Sequence, residues 1–323
     1  MKYIVTGGAG FIGSAVVWQL NNAGIDDILV VDNLGSSDKW KNLVNRRYAD
    51  YVHKDAFLES FLNGRFGDVA AVIHMGACSS TTERDADYLM ANNYYYSRQI
   101  AEYALSRDIR LINASSAATY GDGTSGFSDD PEALSSLVPL NMYGYSKHLF
   151  DLWARRTGAL DRLASLKFFN VFGPNEYHKG DMCSVIYKSF FQVRDTGRIR
   201  LFKSYRDEYP DGGQMRDFVY VKDCVALIGW LLENRDINGI MNVGTGTART
   251  WNDLAQSVFA AMDRPENIEY IDMPVHLQDR YQYFTEARME RVRERGCPVT
   301  FTDLAAAADD YVRNYLLKED PYL

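Results

Sequence analysis

A glycine-rich heptapeptide near the start of the chain limits the possible folds more than any other feature. Residues 7–13 read GGAGFIG, directly after a predicted strand at Tyr3–Thr6 and before a predicted helix at Ser14–Ala23. Such glycines let the chain turn tightly, let its backbone approach a pyrophosphate and let the helix pack close to the strand. The next predicted strand ends at Asp32, about twenty residues on, where an acid holds an adenosine ribose. The motif, formed by Gly7, Gly10 and Gly13 with an overlapping set that includes Gly8, therefore predicts dinucleotide binding.

Short runs rich in apolar residues alternate with amphipathic stretches through the first half of the chain, which is typical of βαβ units and a parallel sheet. The further predicted strands are Ile28–Val31, Ala71–His74, Arg110–Ala114 and Ser165–Phe169. We expect an α/β fold, a Rossmann-like doubly wound parallel sheet with a smaller mixed α/β substrate domain. Residues 1–170 with 216–247 form the predicted cofactor domain, and 171–215 with 248–323 form the predicted substrate domain.

Predicted helices cover 14–23, 56–63, 88–105, 143–156, 182–195, 221–234 and 303–317. The stretches GDGTSGFSDD, from Gly121, and DEYPDGGQ, from Asp207, lack apolar periodicity, so we expect surface loops near a pocket.

The charge balance excludes several classes of partner. The chain has 35 Lys and Arg against 43 Asp and Glu, a formal net charge of −8. A generally acidic chain is a poor match for a nucleic acid or an anionic membrane surface, and no apolar run has the roughly 18 to 20 residues of a membrane helix. The 4 cysteines form no C-x-x-C pair and the histidines are scattered, so we expect no disulfide framework, no metal site and a reducing, cytoplasmic setting.

Three residues form a candidate catalytic group. Tyr143 and Lys147 lie four residues apart at the start of a predicted helix, so their side chains share one face. Ser116 follows a predicted strand at the carboxyl edge of the sheet, where such folds bind ligands. A tyrosine acts as a base near neutrality only if its pKa falls by roughly three units, about 4 kcal/mol. An ammonium at ~4 Å supplies about that much at an intermediate dielectric, so we expect Lys147 to lower the pKa of Tyr143 and Ser116 to orient the substrate.

The residues alone leave the choice between NAD and NADP open. Asp32 favours a free ribose 2′-hydroxyl, because a carboxylate repels a 2′-phosphate. Asn33 and Lys39 follow, however, in a loop that can fold over the ribose.

Together these features resemble the extended short-chain dehydrogenase/reductase superfamily, whose members mostly modify nucleotide sugars. The segments GACSSTTE, ASSAATYG, NMYGYSKHLFD, FFNVFGPNEYHKG, QMRDFVYVKD and NVGTGTART follow one another as in the ADP-L-glycero-D-manno-heptose 6-epimerase family. The resemblance spans nearly the whole chain, and GACSSTTE and HKG are its most specific parts. It implies epimerisation at C6 of an ADP-heptose through a transient 6-keto sugar, with tightly bound NADP. The implied product is the heptose precursor of the lipopolysaccharide core.

The resemblance also implies roles for individual residues. A substrate seated in two orientations needs two acid/base groups, and these are Tyr143 and Lys179, the lysine of HKG, with Lys147 and Ser116 in support. The implied cofactor contacts are Gly7, Gly10, Phe11, Ile12, Gly13, Asp32, Asn33, Lys39, Lys54, Met75, Gly76, Ala77, Cys78, Ser79, Asn92, Tyr143, Lys147, Val171 and Lys179. The implied substrate contacts are Ser116, Asn170, Asp181, Lys188, Phe202, Lys203, Ser204, Tyr205, Arg216 and Tyr281.

Two positions depart from the family pattern. Asp181 stands where a serine is usual and Lys188 where a histidine is usual, and a carboxylate at Asp181 is unfavourable beside a diphosphate unless Lys188 or Lys179 neutralises it. Arg216 is expected to grip the diphosphate as a bidentate donor. Family members form homo-oligomers, and the resemblance implies a pentamer.

Three other readings are open to test. A 4,6-dehydratase needs an acid after the catalytic Ser, and here Ala117 and Ala118 follow Ser116. A UDP-hexose 4-epimerase shares the glycines and the Tyr/Lys pair. Lys179, in HKG, is the feature that favours a heptose 6-epimerase over it. A catalytically silent NADP-sensing module has no need to retain Ser116, Tyr143 and Lys147 together.

Overall fold

The structure is a computed structural model that describes residues 1–278 and 281–323. Its strands, numbered in chain order, are β1 Lys2–Thr6, β2 Ile28–Asp32, β3 Asp50–His53, β4 Val69–His74, β5 Arg110–Ser116, β6 Leu163–Phe168, β7 Asn170–Phe172, β8 Ile199–Phe202, β9 Met215–Arg216, β10 Phe218–Tyr220, β11 Gly239–Val243, β12 Arg249–Thr250 and β13 Ile268–Ile271. Its α-helices are α1 Phe11–Asn22, α2 Lys54–Leu62, α3 Ala86–Leu89, α4 Tyr96–Ser106, α5 Met142–Arg156, α6 Val185–Thr196, α7 Val221–Glu233, α8 Trp251–Ala261, α9 Val275–Gln278, α10 Glu290–Glu294 and α11 Leu304–Tyr311.

Seven strands form one parallel sheet in the order β11-β6-β5-β4-β1-β2-β3. The central strands are apolar and buried on both faces, since helices cover both sides of the sheet. Strand order reverses between β1 and β4, and ligands of such sheets bind in the crevice at the carboxyl ends of the strands around that reversal. The fold therefore directs the turns after β1, β4 and β5 to a common edge.

The predicted α/β fold with a doubly wound parallel sheet is confirmed, and each of the five strands predicted in the first 170 residues is present. β3 was not predicted, because its four residues, Asp50–His53, form only a short pair of apolar residues between two polar ones and none is buried. It is the edge strand of the sheet beside β2, where its side chains are not enclosed as those of the central strands are.

The chain becomes less regular after β6. Three two-stranded sheets pair β10 with β7, β12 with β9 and β13 with β8. β11 returns to the edge of the main sheet beside β6, as expected of a segment assigned to the cofactor domain. The exact division into two domains stays a prediction.

Several helices differ from the predicted ones. The predicted helix over 88–105 is interrupted by a π-helical turn at Met90–Tyr95, between α3 and α4. α6 begins at Val185 rather than at Met182, because a 3₁₀ turn at Tyr177–Met182 precedes it. α8 was not predicted, although Thr250 and Asp253 form a capping box at its start.

The two predicted surface loops are only partly at the surface, which corrects that expectation. Phe127 and Asp129, in the first loop, are buried, and Gln214 at the end of the second has no exposed surface. Asp129 accepts a hydrogen bond from the Asn242 backbone at 2.9 Å, so a polar stretch without periodicity is held inside by side-chain bonds. Within the described residues, no helix is long and apolar enough to cross a membrane.

Candidate active site

A cavity of about 870 Å³ opens at the carboxyl edge of the main sheet. It is lined by every residue that the sequence assigned to the cofactor, from the glycine turn after β1 to Lys179. Ser116 and Asn170, two of the predicted substrate contacts, line it as well. The fold thus brings segments from both halves of the chain to one site.

The glycine turn packs against the end of β4 at a distance that excludes side chains. Gly7 has a φ of +64°, and a Cβ there would lie 2.7 Å from Gly76 Cα. A Cβ on Gly13 would collide with the Gly7 carbonyl oxygen. α1 starts after Gly10 with no acidic residue in its first turn, so its first amide groups are available to an anion. The turn fits the pyrophosphate of a dinucleotide.

Asp32 closes the same end of the cavity and is already hydrogen bonded. Its Oδ2 accepts from the Ala9 amide at 2.9 Å, and its Oδ1 accepts from the Asn33 amide and from Lys39 Nζ, both at 2.7 Å. The Lys39 side chain is 20% exposed, against 7% for Asp32. Lys39 is therefore not an isolated surface charge: it lines the cavity as a cation paired with Asp32, the acid predicted to hold the ribose.

The π-helical turn before α4 places Asn92 in the cavity lining and the buried Asn93 beside it. Asn92 accepts a hydrogen bond from Lys54 Nζ at 3.1 Å and donates one to Asn93 at 3.0 Å. Asn93 is fully buried and exchanges hydrogen bonds with the backbone of Cys78, both at 2.9 Å. This turn therefore fixes the wall formed by Met75–Ser79, as π turns at functional sites often do.

Tyr143 and Lys147 project from the first two turns of α5, which Asn141 caps by accepting from the Gly144 amide at 2.8 Å. Lys147 is buried and donates to the Ala114 carbonyl at 2.7 Å. Burial lowers the pKa of Lys147 to about 8, and Asp151 opposes the shift. Burial raises the pKa of Tyr143, while its side-chain interaction with Ser116 lowers it. The expectation that Lys147 lowers this pKa is not met in this structure, because its ammonium is directed at the backbone of β5.

A buried ion pair lies behind this group. Lys167 Nζ is 3.3 Å from Asp151 Oδ2, and both side chains have 0% exposure. Asp151 also accepts from the hydroxyls of Ser115 at 2.7 Å and Ser165 at 2.9 Å. Lys167 donates to Thr119 at 2.6 Å. The pair joins α5 to β5 and β6, and so fixes the strand end that carries Ser116.

Lys179 lines the cavity from the 3₁₀ turn at Tyr177–Met182, a different segment from the helix that carries Tyr143. Its ammonium lies 5.1 Å from the centre of the Phe11 ring, the residue after the glycine turn's Gly10. Burial lowers its pKa, as does Lys188, while Glu176 and Cys183 raise it. A lysine with a lowered pKa is a better base near neutrality. The cavity thus contains two candidate acid/base groups from different segments.

The other predicted substrate contacts do not line this cavity. Arg216 is 8% exposed and donates to the Met215 carbonyl at 2.8 Å and to the Gln282 carbonyl. Among the described residues, its side-chain hydrogen bonds go to these carbonyl groups rather than to a carboxylate. It stacks at 5.3 Å from the Tyr281 ring. Tyr281 accepts from the indole of Trp251, which does line the cavity, at 2.9 Å.

The remaining residues of that set lie further out. Lys188 donates to the Asp181 backbone carbonyl at 2.6 Å, so the two departures from the family pattern are neighbours. Lys203 and Tyr205 both bond to Asp272, at 3.0 and 3.3 Å. Phe202 packs edge-on against Tyr281, and Ser204 is hydrogen bonded within its own turn.

Sequence reasoning missed several residues that line the cavity. His178 precedes Lys179, and burial, with smaller effects of Lys39 and Lys179, lowers its pKa to about 4. Trp251 starts α8, and its capping box was the available sequence signal. Gln282 and Thr285 line the cavity from an irregular segment, for which no periodic signal exists.

The model of the NAD dependent epimerase/dehydratase family matches residues 3–244 of the chain. Among curated proteins, the ADP-L-glycero-D-manno-heptose-6-epimerase of Nitratidesulfovibrio vulgaris is 64% identical, over 99% of this chain and 100% of that protein. The protein of the same name from Fusobacterium nucleatum is 49% identical, over 99% of each.

Solved structures share the fold. The crystal structure of ADP-L-glycero-D-manno-heptose-6-epimerase from Helicobacter pylori is similar with a TM-score of 0.82 and 24% identity, over 97% of this chain and 95% of that one. UDP-glucose 4-epimerase from Thermus thermophilus, in complex with NAD, is similar with a TM-score of 0.76 and 23% identity, over 97% and 99%. These likenesses confirm the architecture, and the family model supports a nicotinamide dinucleotide as the cofactor.

Proposed function

The chain belongs to the NAD dependent epimerase/dehydratase family and to its ADP-L-glycero-D-manno-heptose-6-epimerases, and from this premise we propose that it interconverts the C6 epimers of ADP-glycero-D-manno-heptose with NADP as its cofactor. The epimer with the D-glycero configuration is the substrate and the L-glycero epimer is the product. This reaction supplies the heptose precursor of the lipopolysaccharide core, and the active form is a homo-oligomer.

The observation that carries the proposal is the convergence of Tyr143 and Lys179 on one cavity that also contains the glycine turn. A single base abstracts a proton from a hydroxyl in one orientation. Inversion of a carbon requires the hydride to return to the opposite face, and a second acid/base group serves the rotated sugar. A dehydrogenase that oxidises only one epimer needs only one acid/base group, and so has no need of Lys179 in that position.

The residues of this chain then have separate tasks. A nicotinamide dinucleotide held by the glycine turn and Asp32 would supply the acceptor and donor of the hydride at C6. Tyr143 removes or returns the proton of the C6 hydroxyl in one seating of the sugar, and Lys179 does so in the other. Ser116 donates a hydrogen bond to the oxygen at C6. Lys147 holds the end of β5 through the Ala114 carbonyl, and so keeps the strand end that carries Ser116 in place beside Tyr143.

The preference for NADP is supported by the contact between Lys39 and Asp32. An unpaired carboxylate at the ribose repels a 2′-phosphate, whereas here a lysine ammonium neutralises it at 2.7 Å. Asn33 and Lys54 extend the polar rim at this end of the cavity. NAD binds the same site without making use of Lys39.

Arg216 is the proposed anchor for the diphosphate of the sugar nucleotide, which would reach it past Trp251, the lining residue whose ring lies 5.8 Å from the guanidinium. Its guanidinium is buried, bonded to carbonyl groups and held between aromatic rings, and burial lowers its pKa. A buried cation whose described hydrogen bonds go to carbonyl groups is stabilised further by an anionic ligand. The D-glycero and L-glycero substrates share this diphosphate, so one anchor serves both.

The direct test is to incubate the purified protein with ADP-D-glycero-D-manno-heptose and to follow the epimer ratio by NMR. We expect conversion to the L-glycero epimer without added cofactor and without net production of NADPH. Conversion of UDP-galactose in place of the heptose would instead identify a UDP-hexose 4-epimerase, and cofactor binding without turnover of either sugar would identify a sensing module.

Mass spectrometry of the copurified cofactor distinguishes NADP from NAD. Light scattering of the purified protein gives the number of chains in the assembly, which we expect to be five. A monomer with full activity would contradict the oligomer proposal alone.

A further inference from the structure

The turn that carries Lys179 is tied to the dinucleotide-binding turn by two buried asparagines. The first is Asn42, which is 2% exposed and follows Lys39 by three residues. Its Nδ2 donates to the Ala9 carbonyl, inside the glycine turn, at 2.9 Å and to the Asn175 carbonyl at 3.0 Å. His178 Nδ1 lies 3.3 Å from the same nitrogen. One amide group therefore contacts both the pyrophosphate turn and the segment before Lys179.

The second is Asn175, which has 0% exposure and a φ of +77°. Its Nδ2 donates to the Ser14 hydroxyl in α1 at 2.9 Å. Ser14 in turn donates to the Phe11 carbonyl at 3.1 Å. Because buried amides that lose their partners are costly, displacement of either segment opposes a connected set of hydrogen bonds.

Glu176, directly after Asn175, ties the start of the Lys179 turn to Ser184 at its other end and to Tyr311. Glu176 has 0% exposure and accepts from the Ser184 hydroxyl at 2.7 Å and from the Tyr311 hydroxyl at 3.1 Å. Between these anchors the Lys179 ammonium rests 5.1 Å from the Phe11 ring. Phe11 thus contacts Lys179 through its ring and the asparagine network through its carbonyl.

From these contacts we infer that Asn42 and Asn175 are positioning residues that couple the seating of the dinucleotide to the placement of Lys179. The inference rests on the proposed function, since it concerns the second acid/base group of that reaction. It predicts that the two halves of the cavity are not equal: loss of either asparagine impairs the half-reaction that uses Lys179 and spares the one that uses Tyr143.

The first experiment measures the two half-reactions separately on the holoenzyme. Each purified ADP-heptose epimer is mixed with the enzyme, and the near-ultraviolet absorbance of reduced cofactor reports the first hydride transfer. Asn175→Gly, which keeps the positive φ while removing the amide, should slow this step at least about tenfold for one epimer. That epimer should be the one that Lys179→Met also slows, and the other epimer should react at the wild-type rate.

The second experiment needs no substrate. Hydrogen exchange of the backbone amides in residues 176–183 is compared with and without NADP. We expect NADP to protect these amides in the wild type, and the protection to be lost in Asn175→Gly and in Asn42→Ala while NADP remains bound. Asn42→Ala leaves the backbone of the Lys179 turn unchanged, so it stands in if Asn175→Gly does not fold.

Asn21→Ala is the matched control. Asn21 is another buried asparagine, donating to the Ile25 and Arg47 carbonyls at 3.1 and 2.8 Å, and it does not line the cavity. We expect it to lower the midpoint of unfolding and to leave the ratio of the two half-reactions unchanged.

Equal slowing of both epimers by Asn175→Gly and Asn42→Ala, or NADP protection that survives both substitutions, would overturn the coupling. Failure of the wild type to convert ADP-heptose would instead count against the proposed function. The exchange experiment still decides the coupling in that case, so the two failures are distinguishable.

Discussion

The two sides of the cavity are built by different means. On one side, Ser116 and Tyr143 lie at a strand end and in the first turn of a helix, so the regular geometry of the sheet positions them. On the other side, Lys179 lies in a 3₁₀ turn that buried side chains hold in place. Regular elements tolerate the loss of one contact better than a turn held by a few polar bonds. We therefore expect the second side to be the more sensitive to substitutions outside the cavity.

The strongest test of the regular side is Tyr143→Phe. Because this change removes only the hydroxyl that exchanges the proton, we expect conversion of ADP-heptose to fall by about 10² to 10⁴-fold, the range of a lost acid/base group. The epimer ratio is followed by NMR, with bound NADP measured in parallel to show that the cavity is intact. Retention of most of the activity would mean that Tyr143 is not a base.

The corresponding test of the irregular side is Lys179→Met, which keeps most of the length of the side chain and removes its charged amino group. Overall conversion should fall by a similar factor of about 10² or more. The difference lies in the half-reactions, since only one epimer should lose its ability to reduce the bound cofactor. Lys222→Met is the control, because Lys222 lies on α7, pairs with Asp310 and does not line the cavity. Full activity in Lys179→Met would remove the two-base mechanism.

A smaller effect is expected at the adenosine end, which belongs to the regular side. Lys39→Ala should weaken the binding of NADP about tenfold, since a charge-assisted contact to a phosphate is worth about 1.4 kcal/mol or more. NAD binding should change less, because NAD has no 2′-phosphate. Lys41→Ala is a matched control, because Lys41 lies on the same 3₁₀ turn and pairs with Asp38 instead. Equal weakening of both cofactors by Lys39→Ala would contradict the proposed role.

The smallest effect concerns pH. Glu176 raises the pKa of Lys179, against the larger lowering by burial. Glu176→Gln removes that negative charge, so the pKa of Lys179 should fall further. Lys179 acts as a base when neutral, so the acid limb of its half-reaction should move to lower pH.

The limb of the Tyr143 half-reaction should stay where it is. Tyr311→Phe removes a hydrogen bond to Glu176 without changing the charge, and serves as the control for altered packing. Movement of both limbs by the same amount would show that Glu176 has no specific effect on Lys179.

Much of the regular side could be predicted from the sequence. The spacing of Gly7, Gly10 and Gly13, the acid at Asp32 and the interval between Tyr143 and Lys147 are local patterns, and the sheet converts each into a fixed position. The predicted direction of the pKa shift at Tyr143, a lowering by Lys147, was wrong. The shift depends on burial and on the direction of the Lys147 ammonium, and the spacing of two residues along a helix predicts neither of them.

The irregular side was predicted only through a resemblance to known enzymes. Lys179 has no periodic pattern around it, and the residues that hold it, Asn42 and Asn175, are 133 residues apart. Such a contact depends on how distant segments pack. Its only local trace is a run of polar residues directly after Gly173 and Pro174, and that pattern is equally typical of a surface loop.

Because the ion pair of Lys167 and Asp151 is buried, cofactor binding and the reaction itself should respond differently to ionic strength. Mobile ions screen charges that they can approach, and neither member of this pair has any exposed surface. Lys39, by contrast, is partly open to solvent. Added salt should therefore weaken the capture of the anionic cofactor while leaving the strand end with Ser116 as it was. The enzyme, once loaded, is expected to be nearly indifferent to the electrolyte around it.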